Sequence, residues 1–162
     1  MSGPPIPIRM ATTSGDVASA RALFEEYAEW LAVDLCFQGF AEELATLPGA
    51  YAPPHGMLLL AGQGSDAVGC IALRPLADSA QQMVAEVKRL YVRPSARGTG
   101  LGRRLVQSVI DGARAIGYRE LKLDTLAQMR DAQALYARLG FRECEPYYVN
   151  PIPGTVYMSL TM

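Results

Sequence analysis

The sequence predicts a three-layer α/β domain built on a mixed sheet, and three observations predict it. Half of the 162 residues are apolar, enough for one buried core, since single cores usually run to about 100–200 residues. Apolar runs of strand length alternate with segments of helical periodicity, the pattern of helices covering a sheet. Residues 83–124 read strand, helix, strand, which is one βαβ crossover. The expectation is a single domain over 1–162 with the order β α α β β β α β α β β.

Each element has its own signal. Residues 6–12 make a short strand. Ser14 and Asp16 offer N-cap side chains ahead of Val17, Ala20, Leu23, Phe24, Tyr27 and Leu31, which recur at helical spacing to about residue 33. A second short helix spans 38–49 and ends at Pro48 and Gly49. The apolar run 56–62 and the strand 67–76, joined by a turn at 64–66, form a hairpin. Residues 83–94 are a third strand, closed by Pro94, which has no N–H to give a ladder. A helix follows over 100–116. Leu101, Leu105, Val109 and Ala113 form its apolar stripe, Arg103, Arg104, Gln107, Asp111 and Arg114 face away, and Gly117 ends it as a left-handed cap. Residues 119–126 alternate as a strand, and 131–141 form a helix stopped by Gly140. In the final strand Val156, Met158, Leu160 and Met162 alternate with Tyr157, Ser159 and Thr161.

Composition excludes several classes. A net charge of −1 argues against a nucleic-acid partner. No 18-residue apolar run exists, so no membrane span is expected, and prolines interrupt the start where a signal peptide would be apolar. Cys36, Cys70 and Cys144 are an odd number at wide spacing, and His55 is the only histidine. No metal site and no disulfide framework are expected, and a reduced cytoplasm fits. His55, beside Pro53 and Pro54, reads as a loop residue; Cys70 and Cys144 read as small buried hydrophobes.

The stretch RPSARGTGLGRRL, residues 93–105, places Gly98, Gly100 and Gly102 between a strand and a helix, with arginines on both sides. A helix start leaves backbone N–H groups without partners and carries about half a positive charge. Residues without side chains let a phosphate approach those groups closely. The spacing does not satisfy the dinucleotide pattern G-x-G-x-x-G, because Arg103 or Leu105 falls at its last position, and no P-loop is present. It fits R-x-x-G-x-G, through Arg97, Gly100 and Gly102.

With the strand before it, this stretch resembles the acetyl-CoA-binding motif of the GNAT superfamily of N-acetyltransferases. Ala132, Leu135, Tyr136, Gly140 and Phe141 are similar to that family's second motif, A-x-x-L-Y-x-x-x-G-F, in the family's order and separation. The resemblance implies a GNAT-like α/β/α fold with a mostly antiparallel sheet splayed at its central strands. It implies acetyl-CoA as cosubstrate, no metal, and a small-molecule or peptide amine as acceptor; it also allows a homodimer. Backbone N–H groups of Arg97, Gly98, Thr99, Gly100, Leu101, Gly102 and Arg103 would bind the diphosphate. The strand residues Leu90, Tyr91 and Val92 would offer backbone groups to the pantetheine arm, as an open strand edge does for amides.

The implied chemistry is direct attack of an amine on the thioester in a ternary complex. An alkyl amine has a pKa near 10.4, so a base is useful. Glu86 is the candidate, on one strand face with Lys88; the alternative is a surface or edge carboxylate paired with Lys88 or Arg89. Tyr136 is the candidate acid for the departing thiolate; the alternative is a core tyrosine. The Val92 N–H would meet the oxyanion. Met129 stands where many relatives of the family carry Asn. The acceptor side is expected from residues 25–44, with Glu25, Glu26, Asp34, Phe37 and Gln38, and from residues 145–157, with Tyr147, Tyr148 and Tyr157. Carboxylates beside aromatics suit a cationic amine, and ordinary helix surface with core aromatics explains the same residues. An acyl-CoA-binding module with little turnover is the second functional reading.

Overall fold

A computed structural model describes residues 3–76 and 83–162, without the side chain of Phe37. Strand β1 (Ile8–Met10) is shorter than the predicted 6–12, because the chain turns at Thr12 and Thr13 into a helix cap. The N-cap of α1 (Ser14–Leu31) is Thr13, one residue before the predicted Ser14. Its hydroxyl accepts from the Asp16 N–H at 3.0 Å, and the Asp16 carboxylate accepts from the Thr12 and Thr13 N–H groups at 2.9 and 3.2 Å. Those amides, with the Arg9 guanidinium, hold the Asp16 carboxyl well below the usual carboxylate range. The helix ends at Leu31, with Ala32 in the left-handed region, slightly before the predicted residue 33.

The second predicted helix, 38–49, is broken into three pieces. A 3₁₀ turn at Cys36–Gln38 precedes α2 (Phe40–Thr46), and another at Gly49–Tyr51 follows it. Gly39 lies between the first two at φ +68°, a conformation an α-helix does not pass through. Strands β2 (Met57–Ala61) and β3 (Gly69–Pro75) form the expected hairpin. Strand β4 (Val84–Val92), α3 (Leu101–Ile116) and β5 (Glu120–Thr125) form the expected crossover. Helix α4 (Arg130–Arg138), β6 (Arg142–Glu143) and β7 (Val156–Thr161) complete the chain.

Among the described residues seven strands lie in the order β1-β2-β3-β4-β5-β7-β6. Every pair is antiparallel except β4 with β5. One face packs on the apolar stripe of α3 and on α4, with Ile71, Leu73, Val87, Leu105, Val109, Leu121 and Tyr136 in one core. The other face packs on α1, with Leu23, Phe24, Leu58, Leu60 and Cys70 in a second. No described helix is long and apolar enough to cross a membrane.

Two local features open the middle of this sheet. Cys70 pairs with Tyr91 and Ala72 with Lys88, so Ile71 faces two residues of β4, Arg89 and Leu90. This is a β-bulge, and Arg89 adopts φ +63° to make it. Strand β4 pairs with β5 only from Val84 to Glu86. Beyond Glu86 the bulged strand bends away and the two strands part. The sheet is therefore splayed at its centre, as the resemblance implied.

Candidate active site

The parting of β4 and β5 leaves a cavity of about 40 Å³ that runs through the sheet. Alternation along each strand gives it two different walls. On the α3–α4 side it is bounded by Val87, Thr125 and Tyr136; on the α1–α2 side by Lys88, Asp124 and Gln38.

At the α3 end of the gap lies the glycine stretch. Gly98 and Gly100 have φ +76° and +82°, where an L side chain is strained, and a Cβ at either would meet nothing within 4 Å. Their role is backbone conformation facing open space. The Arg97 N–H donates to Pro94 O at 3.3 Å, and the first helical bond runs from Arg104 N–H to Gly100 O at 3.2 Å. Between them the six amides from Gly98 to Arg103 donate to no described residue. They converge at the start of a 16-residue helix, a place that favours an anion.

The β4 edge continues the same line. The Arg93 N–H donates to Val68 O at 2.8 Å, toward β3. Alternation then turns the backbone of Tyr91 toward β3 and that of Val92 toward the gap; Leu90 lines the cavity. The Val92 carbonyl accepts from Arg97 Nε at 2.8 Å. The Arg97 guanidinium lies over the rings of Trp30 and Tyr91 at 4.9 and 5.8 Å. Glu26, expected on the acceptor side, instead pairs with Arg93 at 2.6 Å and lies near the Tyr91 hydroxyl.

Tyr136 is buried, with its ring edge-on to Phe141 at 5.6 Å. It belongs to the core and also lines the cavity, so both sequence readings describe part of its position. Its hydroxyl bonds to no described residue, and burial pushes its pKa up. The Thr125 hydroxyl, in the same wall, is buried and without a partner. A buried hydroxyl without a partner is unusual for a protein interior, and with the Tyr136 hydroxyl at the same cavity it fits a polar ligand between β4 and β5. Met129 lines the cavity as well and adds only apolar surface there.

Glu86 is 1% exposed and sits on a central strand. Its main partner is one that sequence reading did not name. Arg74, opposite it on β3, binds Oε1 through two nitrogens at 2.9 Å each. The Tyr147 hydroxyl donates to Oε2 at 2.5 Å, and Lys88 Nζ is 3.9 Å from Oε1. Glu86 does not line the cavity; Lys88 stands between. Arg89 turns instead to Glu43 of α2, at 2.9 and 3.0 Å, and lies over the Phe40 ring. This buried pair fastens α2 over the bulge.

The loop before β7 closes the acceptor wall. The rings of Tyr147, Tyr148 and Tyr157 pack together at 5.3–5.8 Å. The Tyr148 hydroxyl donates to Asp124, which also accepts from Asn150 Nδ2 at 2.9 Å. Gln38 joins Lys88 to Tyr148, accepting from the first at 3.2 Å and donating to the second at 3.3 Å. Burial, followed by the nearby carboxylates, pushes the phenols of Tyr147 and Tyr148 up and keeps them protonated donors. Of the other expected residues, Glu25 is exposed and Asp34 accepts from the Cys36 N–H; the Phe37 side chain lies outside the described residues. Asp124 and Asn150 were not anticipated. Lys88, named in the sequence only as a partner for Glu86, could have been, because adjacent charges at Lys88 and Arg89 inside a strand otherwise rich in apolar residues have few reasons to be there. Cys70 is fully buried, but Cys144 is only half-buried, which corrects its reading as a core residue. Among the described residues no group of His, Cys, Asp or Glu is placed to hold a metal ion.

Residues 19–141 match a family model described as the acetyltransferase (GNAT) family. An uncharacterized N-acetyltransferase of Schizosaccharomyces pombe is 42% identical over 148 residues, spanning 91% of this chain and 89% of its own. A crystal structure of an acetyltransferase from Streptococcus agalactiae superposes with a TM-score of 0.78 at 20% identity, covering 98% of this chain and 99% of that one. An acetyltransferase from Salmonella typhimurium, solved with its cofactor acetyl-CoA, does so with a TM-score of 0.67 at 21% identity, covering 98% and 94%.

Proposed function

The chain belongs to the GNAT family of acetyltransferases, and on that footing we propose that it carries the acetyl group of acetyl-CoA directly to a primary amine within a ternary complex. The observation that carries this reading is the row of unpartnered amides from Gly98 to Arg103, aligned with a gap whose Tyr136 and Thr125 hydroxyls are also unpartnered. A diphosphate satisfies the amides. The pantetheine amides extend along β4 at Leu90 and Val92. The thioester then lies between the two walls, with the coenzyme on the α3–α4 side and the acceptor on the α1–α2 side.

From there each group has a stated task. The amine lone pair forms the C–N bond, the Val92 N–H meets the oxyanion, and the C–S bond breaks. Tyr136 donates a hydrogen bond to the departing sulfur. Its raised pKa makes it a donor to the thiolate more than a source of a free proton. Glu86 is one group removed from the cavity, so a proton it takes arrives by way of Lys88, which lines it.

A coupled assay of thiol release from acetyl-CoA, with amines of several classes as acceptors, tests the reading. Tyr136→Phe is expected to lower kcat by about 10²-fold or more and to leave KM for acetyl-CoA within about twofold. An unchanged kcat removes Tyr136 from the chemistry. Calorimetric binding of acetyl-CoA with no thiol release to any amine would support a binding module instead.

A further inference from the structure

The acceptor wall holds one cation and one anion that are not spent on each other. The Lys88 side chain is 3% exposed, and its ammonium has three donors. One donor goes to Gln38 Oε1 at 3.2 Å. Glu86, at 3.9 Å, lies beyond hydrogen-bond range and already has Arg74 and Tyr147 on its two oxygens. Two donors of Lys88 are therefore left without a hydrogen-bond partner, on a residue that lines the cavity. Across the gap, Asp124 takes both Tyr148 and Asn150 on Oδ2. Its Oδ1 accepts from no described residue. Gln38 and Tyr148 stand between the two charges, and no ion pair joins them. A buried ammonium left with spare donors is costly, and a second cation brought beside it would be costlier.

We infer that the acceptor is a small aminocarboxylate, whose carboxylate docks on the two spare donors of Lys88 and whose nitrogen docks on the free oxygen of Asp124. The inference rests on the acetyl-transfer reading above and adds the acceptor class. The acceptor arrives as an ammonium and loses one proton to solvent by way of Asp124. The neutral nitrogen then forms the C–N bond, the C–S bond breaks, and the second proton follows to the sulfur. The products are an N-acetyl aminocarboxylate and coenzyme A. Simple polyamines and lysine side chains bring no anion for Lys88. Burial lowers the Lys88 pKa to about 8, with Arg89 and Arg74 pushing the same way and Glu86 and Asp124 opposing. It is still charged at neutral pH, and an arriving carboxylate strengthens that charge.

The experiment compares α-amino acids with their amides and with the matching decarboxylated amines, by thiol release at saturating acetyl-CoA. Acetyl-CoA binding is measured separately by calorimetry. The free acid is expected to exceed its amide and its amine in kcat/KM by about 10- to 100-fold, as a charge-assisted contact would give. In Lys88→Met that ratio is expected to collapse toward one, and Lys88→Arg to restore part of it. Equal turnover of acid and amine by the parent protein would overturn the inference. So would bound acetyl-CoA with no aminocarboxylate acetylated, or a Lys88→Met variant that loses all three acceptors by the same factor, because the acid then keeps its whole advantage without the ammonium. If acetyl-CoA itself does not bind, the acetyl-transfer reading falls first.

Discussion

Lys88 shows how one residue can weaken a fold while fitting a site. Its ammonium is buried among Glu86, Arg74, Arg89, Asp124 and Gln38, and its pKa falls to about 8 from an ordinary 10.5. Below pH 8 the native state bears the cost of a buried charge. Between about 8 and 10.5 the unfolded chain holds a proton that the native state has released, so this group's contribution to stability rises with pH. Lys88→Met is therefore expected to gain roughly 1–3 kcal/mol of unfolding free energy at pH 7. That gain shrinks toward zero at pH 10 if urea unfolding is followed at both values. An equal gain at the two pH values would show that the buried Lys88 charge is not what costs stability. The same residue marks what was legible at this scale. Glu86 and Tyr136 stand out in the sequence by position in two motifs. Arg74, Asp124 and Asn150 do not, because they reach the site only through cross-strand pairing and a loop.

Among the elements, the strand–turn–helix from Val84 to Ile116 carries the most information. Its helix was readable almost to the residue because stripe, exposed face and glycine cap agree. The β4 bulge was not readable, since Arg89 is an ordinary residue held at a left-handed φ by its pair with Glu43 and by the register of β3. The break of the 38–49 helix at Gly39 has a similar cause: the glycine was visible, but not the left-handed turn it makes. Gly100 tests the turn itself. It sits at φ +82° with open space around it, so valine there strains the backbone and fills the anion's place. Gly100→Val is expected to weaken acetyl-CoA binding by at least about tenfold in calorimetry while the circular dichroism spectrum is kept. Unchanged affinity would take the diphosphate away from this turn.

At the scale of the whole molecule, the sheet is a partition that opens between β4 and β5. Helices α3 and α4 cover one face, α1 and α2 the other, and β4 parts from β5 where both faces can be reached. The fold class and the crossover follow from periodicity alone, and the two motifs add the family. The acceptor wall follows from neither, because it is assembled from α1–α2, β4, β5 and the loop before β7, which are far apart in sequence. The central claim is that the coenzyme's diphosphate binds the free amides that begin α3. Amide-resolved NMR during a titration with acetyl-CoA tests it most directly. The amide signals of Gly98 to Arg103 are expected to shift most, and downfield as N–H donors to phosphate do. Saturable binding that leaves those six signals in place and moves another set would contradict it.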